Sequence, residues 1–167
     1  PGAHMGAGVE AGLARVAESL DWIGDRAGEG SPLVCLENTA GPGTVLAGDF
    51  AHLGAIFARV RTRSRLGVCL DTCHAHAAGY DFTTPAAYHR SLVALEAAVG
   101  PGRVLAIHLN DARGEKGSRL DRHEHLGRGR IGLECFRLFM NDERFAGVPK
   151  IIETPKEENG RQMDPVN

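Results

Sequence analysis

Apolar residues recur along this chain with two alternating periods. Val9, Leu13, Val16, Leu20 and Ile23 fall at helical spacing, with Glu10, Arg15, Glu18 and Asp25 between them and Gly28 and Gly30 after them. That pattern predicts an amphipathic helix stopped by the glycines. Pro32 to Leu36 is a short apolar run that ends in Glu37, and a Gly- and Thr-rich loop continues to Gly48. Asp49 stands where a cap is needed for a second helix, with Phe50, Leu53, Ile56, Phe57 and Val60 on one face. A second apolar run, Leu66 to Leu70, ends in Asp71, followed by His74 and a small-residue loop with Gly79. Thr84-Pro85 pairs a cap with a proline at the first helical position. The helix it opens runs through Tyr88, Leu92, Leu95 and Val99 to Gly100-Pro101-Gly102. Val104 to Ile107 ends in His108, and a long polar loop spans Asn110 to Gly129. Leu133, Phe136, Leu138 and Phe139 mark a short helix, and Pro149 to Ile152 ends in Glu153. The tail from Pro155 to Asn167 is polar and reads as loop.

Short apolar runs bounded by turn residues are buried strands. Their alternation with helices predicts an α/β fold in which a parallel sheet is covered by helices. The strand ends lie roughly 35–45 residues apart, enough for one βα unit each.

Composition narrows the class. The 43% hydrophobic content fits one globular domain in a chain of 167 residues, and the net charge of −2 carries no global signal for nucleic acid. No apolar run can span a membrane. Cys35 and Cys69 sit inside apolar runs, as reduced thiols do, which predicts a cytoplasmic protein. The chain opens on Pro1 without a signal sequence or an initiator methionine, which suggests that it begins inside a longer protein.

Chemistry enters where the strands stop. Each predicted strand ends in a residue that can bind a metal: Glu37, Asp71, His108 and Glu153. Parallel strands point their C-terminal ends the same way, so these side chains should gather on one face. Asp71 alone could be an ordinary helix cap, but capping does not select His or Glu. His74 follows Asp71 by three residues, and Asp121 and His123 lie two apart. Carboxylates mixed with imidazoles suit Zn²⁺, or Mn²⁺ and Fe²⁺ where oxygens dominate. Seven such groups exceed one tetrahedral ion and predict a cluster able to drive displacement at phosphorus. The loop after His108 carries Arg113, Lys116, Arg119 and Arg122, a plausible contact for a phosphate backbone beside such a face. His52 and His89 read as helix-surface residues, and His76 and His125 as groups orienting the ligands.

Four stretches carry a resemblance. Gly67-Val68-Cys69-Leu70-Asp71-Thr72-Cys73-His74 resembles a signature of the endonuclease IV family, the metal-dependent apurinic/apyrimidinic endonucleases. His108-Leu109-Asn110-Asp111-Ala112, continuing through Gly117-Ser118-Arg119 to Asp121-Arg122-His123, resembles its second signature, with Arg113 where the family usually has Lys. Leu36 to Gly41 and Ile152-Glu153-Thr154 are similar to further family segments. The resemblance implies a TIM-type β/α barrel with three zinc ions that cuts DNA 5′ to abasic sites, leaving a 3′-hydroxyl and a 5′-deoxyribose phosphate. By position, Glu37 would bridge two metals and serve as the catalytic carboxylate. Asp71, His108 and Glu153 would complete the second metal's shell, and His74, Asp121 and His123 would hold the third. The partner implied is DNA with abasic sites, and no membrane. About four βα units are present, so the chain, residues 1–167, resembles the C-terminal half of such a barrel. His4 matches a family histidine that is not a ligand, and the first metal's histidines would lie outside the chain. Half a barrel leaves a sheet edge and an apolar face open, which predicts that the fragment is weak or inactive alone and self-associates.

Two other readings compete. One is a metal-dependent sugar or sugar-phosphate isomerase or epimerase of the same barrel class, which would need one metal. The other is a non-catalytic half-barrel that binds metal or DNA.

Overall fold

A computed structural model describes residues 1–28, 30–158 and 160–163 of the chain. Its elements begin with helix α1 (Val9–Arg26), strand β1 (Val34–Glu37), α2 (Phe50–Arg59), β2 (Leu66–Asp71), α3 (Thr72–Ala78) and α4 (Pro85–Val99). They continue with β3 (Val104–His108), β4 (Asp111–Ala112), β5 (His123–Glu124), α5 (Leu133–Asn141), β6 (Lys150–Ile151), β7 (Glu157–Glu158) and β8 (Arg161–Gln162). Four of the strands form one sheet in the order β1-β2-β3-β6, and every pair in it is parallel. Glu37 lies opposite Cys69, Asp71 opposite His108, and His108 opposite Ile151. The C-terminal ends therefore share one edge.

The helices cover one side of this sheet. Leu36, Val68, Leu70 and Ile107 from the strands join Leu13, Leu53, Ile56, Leu92 and Phe139 from the helices in a single buried core. Burying each such side chain contributes about 1.5–3 kcal/mol. A Cβ on Gly54 would stand 2.4 Å from the carbonyl oxygen of Ala98, so glycine here lets α2 and α4 touch. The two predicted caps form. Asp49 accepts a hydrogen bond from the Ala51 amide at 2.9 Å, and Thr84 accepts from Ala87 at 3.3 Å with Pro85 opening the helix. No described helix is long and apolar enough to cross a membrane.

Three segments differ from the sequence expectation. The small-residue stretch after Asp71 is helix α3, not a loop. Thr72, Cys73, Ala75, His76 and Ala77 are all buried, so the helix has no polar face to reveal it. The tail carries a short antiparallel pair, β7 with β8, and residues 164–167 lie outside the described ones. The polar loop between Asn110 and Gly129 carries the antiparallel pair β4–β5 and is built around a buried acid.

That acid is Asp111, with no exposed surface. Its Oδ1 accepts from the main-chain amides of Ala112 at 2.8 Å and Ile131 at 2.9 Å. Its Oδ2 accepts from Gly127 and Gly129, each at 3.0 Å. A side chain on Gly129 would collide with this carboxylate, since a Cβ there would lie 2.4 Å from Oδ1. The loop is thus wrapped around one charge, and β5 is held beside the sheet. Removing the charge strands several buried amides, each costing about 1–3 kcal/mol. Asp111→Ala should therefore destabilise the chain by more than about 3 kcal/mol in urea unfolding. Asp111→Asn should also destabilise, because its NH₂ would face donors. An Asn variant as stable as the parent would contradict this account of the loop.

Candidate metal centre

Because the strands end together, Glu37, Asp71 and His108 at the ends of β1, β2 and β3 meet Glu153, which lies two residues past the end of β6 instead of closing the strand as the sequence predicts. His108 Nδ1 lies 3.1 Å from Glu37 Oε1, 3.0 Å from Glu153 Oε2 and 3.7 Å from Asp71 Oδ2. These four residues each bring one ligand-type atom within 4.8 Å of the others. A second group forms where α3 meets the polar loop: His74 Nε2 lies 3.3 Å from Asp121 Oδ1, and His123 Nε2 lies 3.7 Å from the same oxygen. His74, Asp121 and His123 also fall within the 4.8 Å limit. The two groups adjoin, since His74 Nδ1 is 3.2 Å from Glu37 Oε1 and His123 Nε2 is 3.9 Å from Asp71 Oδ2. All seven predicted residues are therefore brought together.

The polypeptide aims these groups. Asp71 is fully buried, ends β2 and caps α3 by accepting from the His74 amide at 2.7 Å. His74 Nδ1 lies 3.0 Å from the Asn38 carbonyl and His123 Nδ1 lies 3.1 Å from that of Glu153. Donation to those carbonyls leaves each Nε2 with a lone pair, the tautomer a cation needs. His123 Nε2 is buried and has no hydrogen-bond partner. An orphaned acceptor beside a carboxylate-rich group fits a cation, and the oxygen and imidazole donors suit Zn²⁺, Mn²⁺ or Fe²⁺.

The charges perturb one another. At His108 the carboxylates, Asp71 foremost, lift the pKa to about 9 against the pull of burial. Burial also opposes the charged form of His74, yet Glu37, Asp71 and Asp121 carry it up to about 9. Burial favours neutral Asp71, but the His108 and His74 imidazoles hold its carboxyl below the usual range. Cys69 and Cys73 adjoin the ligands, and burial together with the carboxylates pushes both thiols up to about 12.

The predicted basic residues are all exposed but differ in setting. Arg113 pairs with Glu124 at 3.0 Å and Lys116 with Asp81 at 2.8 Å. Arg122 Nη1 folds onto the Asp121 carbonyl at 2.7 Å. Arg119 donates to the Gly41 carbonyl at 2.7 Å and lines a cleft of about 450 Å³ with Asp49, His52 and Tyr80. Its loop is pinned to the end of α3, where Gly117 and Arg119 amides donate to the His76 and Ala77 carbonyls.

His52 is not a plain surface residue: half-buried, its Nδ1 accepts from the Ala47 amide at 3.1 Å. His76 does not orient a ligand, because it is buried with neither ring nitrogen hydrogen-bonded. His89 is exposed, as expected, and His125 is buried within the loop.

Sequence reasoning missed Asn38, Thr72 and Asn110. Asn38 exchanges two hydrogen bonds with the Asp71 main chain, at 2.8 and 3.1 Å. The Thr72 hydroxyl donates to the Asn110 carbonyl at 2.7 Å and accepts from the Asn110 amide at 2.9 Å. The available signal was position: an amide side chain directly after Glu37, and another two residues after His108.

In the metal-free chain, His74 and His108 bind protons more tightly when folded than the unfolded value of about 6.5. Their stabilisation is complete below about pH 6.5 and is lost as pH rises through about 9. The melting temperature in EDTA should therefore fall across that window, and His108→Gln should flatten the fall. A level profile in the parent chain would refute it.

Similarity to known proteins agrees with this geometry. Residues 1–165 match the model of a family described as xylose isomerase-like TIM barrel. The chain is 49% identical over 159 residues to a protein of Chloroflexus aurantiacus named probable endonuclease 4, covering 95% of this chain and 56% of that protein. It is 46% identical over 167 residues to the probable endonuclease 4 of Geotalea daltonii, covering 100% of this chain and 58% of the relative. The crystal structure of endonuclease IV from Thermus thermophilus superposes with a TM-score of 0.76 at 39% identity, over 89% of this chain and 53% of that one. The chain thus spans little more than half the length of these relatives. It belongs to the xylose isomerase-like TIM barrel family, and within that family it is similar to the endonuclease IV proteins.

Proposed function

We propose that residues 1–167 are the C-terminal half of a zinc-dependent endonuclease that hydrolyses DNA 5′ to abasic sites. The observation that carries this reading is the pair of adjoining ligand groups at one end of a parallel sheet. The relatives' name adds the substrate class. Glu37, Asp71, His108 and Glu153 would hold one ion, and His74, Asp121 and His123 another. Divalent ions bound there would activate water and neutralise charge at phosphorus. Glu37 is the catalytic carboxylate of the proposal: about a third exposed, it reaches both His74 and His108. Glu37 could also serve a third ion, whose remaining ligands would come from the rest of the barrel. Arg113, Lys116, Arg119 and Arg122 would meet the backbone of DNA carrying the abasic site, and Arg119 and Arg122 bond carbonyls where Arg113 and Lys116 pair with carboxylates. All four cysteines are free thiols, which suits the reducing cytoplasm.

The second ligand group argues against a one-metal sugar isomerase. Strands β1 and β6 are open edges of the sheet, and Leu33, Ile151 and Ile152 are exposed beside them, which favours self-association of the chain when alone.

Two measurements test the reading. Asp71→Ala and His74→Ala should each lower bound zinc by one ion but remove different ions, seen as distinct changes in a Co²⁺-substituted spectrum. Identical spectra for the two variants would count against two separate sites. For activity, a labelled duplex with one abasic site is incubated with Zn²⁺. The chain alone should cut weakly, and the chain joined to the N-terminal half of the Geotalea daltonii relative should cut 5′ to the lesion. No cutting by the joined protein would overturn the assignment.

A further inference from the structure

Two of the ligand carboxylates, Asp71 at the end of β2 and Glu153 two residues past β6, share a donor that is not itself a ligand. Asn110, fully buried, directs its Nδ2 to Asp71 Oδ2 at 2.7 Å and to Glu153 Oε2 at 3.3 Å. Its Oδ1 accepts from the Glu153 amide at 2.8 Å. Only this orientation of the amide satisfies both sides, since carboxylates cannot donate and the main-chain N–H cannot accept. The Asn110 main chain is locked by Thr72, whose hydroxyl is buried between its amide and carbonyl. The preceding residue continues the sheet ladder, with the Leu109 amide donating to the Ile151 carbonyl at 2.8 Å. Asn110 Oδ1 therefore takes over where the β3–β6 ladder stops, and its Nδ2 points into the charge cluster.

We propose that Asn110 is a positioning residue for the metal centre: its NH₂ draws the Asp71 and Glu153 carboxylates together so that both face the same ion. This rests on the metal reading above. Two carboxylates brought in from separate βα units repel one another, and a shared donor offsets the repulsion before any cation arrives. Asn110 touches neither substrate nor reacting atoms in this scheme and acts through its two neighbours.

The two ends of the amide can be separated. Asn110→Asp keeps an acceptor for the Glu153 amide but removes the donor to the carboxylates, whereas Asn110→Ala removes both. Zinc affinity of the full chain is measured by calorimetry, together with the Co²⁺ absorption spectrum of each variant. Both variants should weaken the ion held by Glu37, Asp71, His108 and Glu153 by about 10–100-fold, and change its Co²⁺ bands. The ion held by His74, Asp121 and His123 should keep its affinity. Unchanged affinity in Asn110→Asp, equal weakening of both ions, or loss of the folded circular dichroism spectrum in either variant would each overturn the inference. If the parent chain binds no zinc, the metal reading itself fails, and that outcome is distinct from the others.

Discussion

The buried carboxylate of Asp71 is the constraint around which this end of the molecule is built. It ends the central strand, caps the next helix through the His74 amide, and faces His108 across the neighbouring strand. A charge with no exposed surface is tolerated only when its oxygens are satisfied. Here a main-chain amide takes Oδ1 and the Asn110 side chain takes Oδ2. Asn38 bonds its main chain from the other side. The position of His74 follows directly, because the capping bond fixes the first turn of α3 and with it the start of the second ligand group. Two groups meet because one residue belongs to both a strand and a cap.

Parallel topology makes this arrangement cheap in sequence terms. One residue per βα unit suffices, since every strand delivers its last side chain, or one just past its end, to the same edge. Gathering Glu37, Asp71 and Glu153 is electrostatically unfavourable, and the same carboxylates raise the pKa of His108 and His74, so the cluster favours positive charge. A proton on an imidazole or a metal ion can answer that demand, and they compete for the same lone pairs. The main-chain carbonyls of Asn38 and Glu153 hold Nδ1 of His74 and His123 and so turn each Nε2 toward the carboxylates.

The four strands of the sheet, the four amphipathic helices and Glu37, Asp71, His108 and Glu153 were legible because each rests on a pattern that repeats: a period of 3.6, an apolar run, a ligand type after each apolar run. What was hidden had no pattern. Helix α3 is buried on nearly all sides, so its residues show no polar stripe and its length is too short for periodicity to speak. Asp111 stands in a stretch crowded with charges and reads as a solvated acid; only the fold brings Gly127, Gly129 and Ile131 back onto it. Asn38 and Asn110 read as loop residues after apolar runs, although both extend the ladder between strands. His52 shows the opposite failing: helical spacing put it on a surface, but the loop before α2 folds back and donates to its ring.

The basic loop shows why a count of charges does not describe an interface. Arg113 and Lys116 already meet carboxylates, and exposed pairs of that kind hold their partners by no more than about 1 kcal/mol. Such pairs are easily exchanged for a phosphate. Arg119, like Arg122, bonds a neutral carbonyl instead of a carboxylate, and its guanidinium lines a cleft. Its backbone is in the left-handed region, with φ of 59°, while the amide bonds the end of α3. The same short helix therefore carries the His74 imidazole of the second group at its first turn and anchors the loop of Arg119 at its last. The distance between the two is set by α3, so in the proposed endonuclease a backbone phosphate on Arg119 would stand in fixed register with Glu37 and His74.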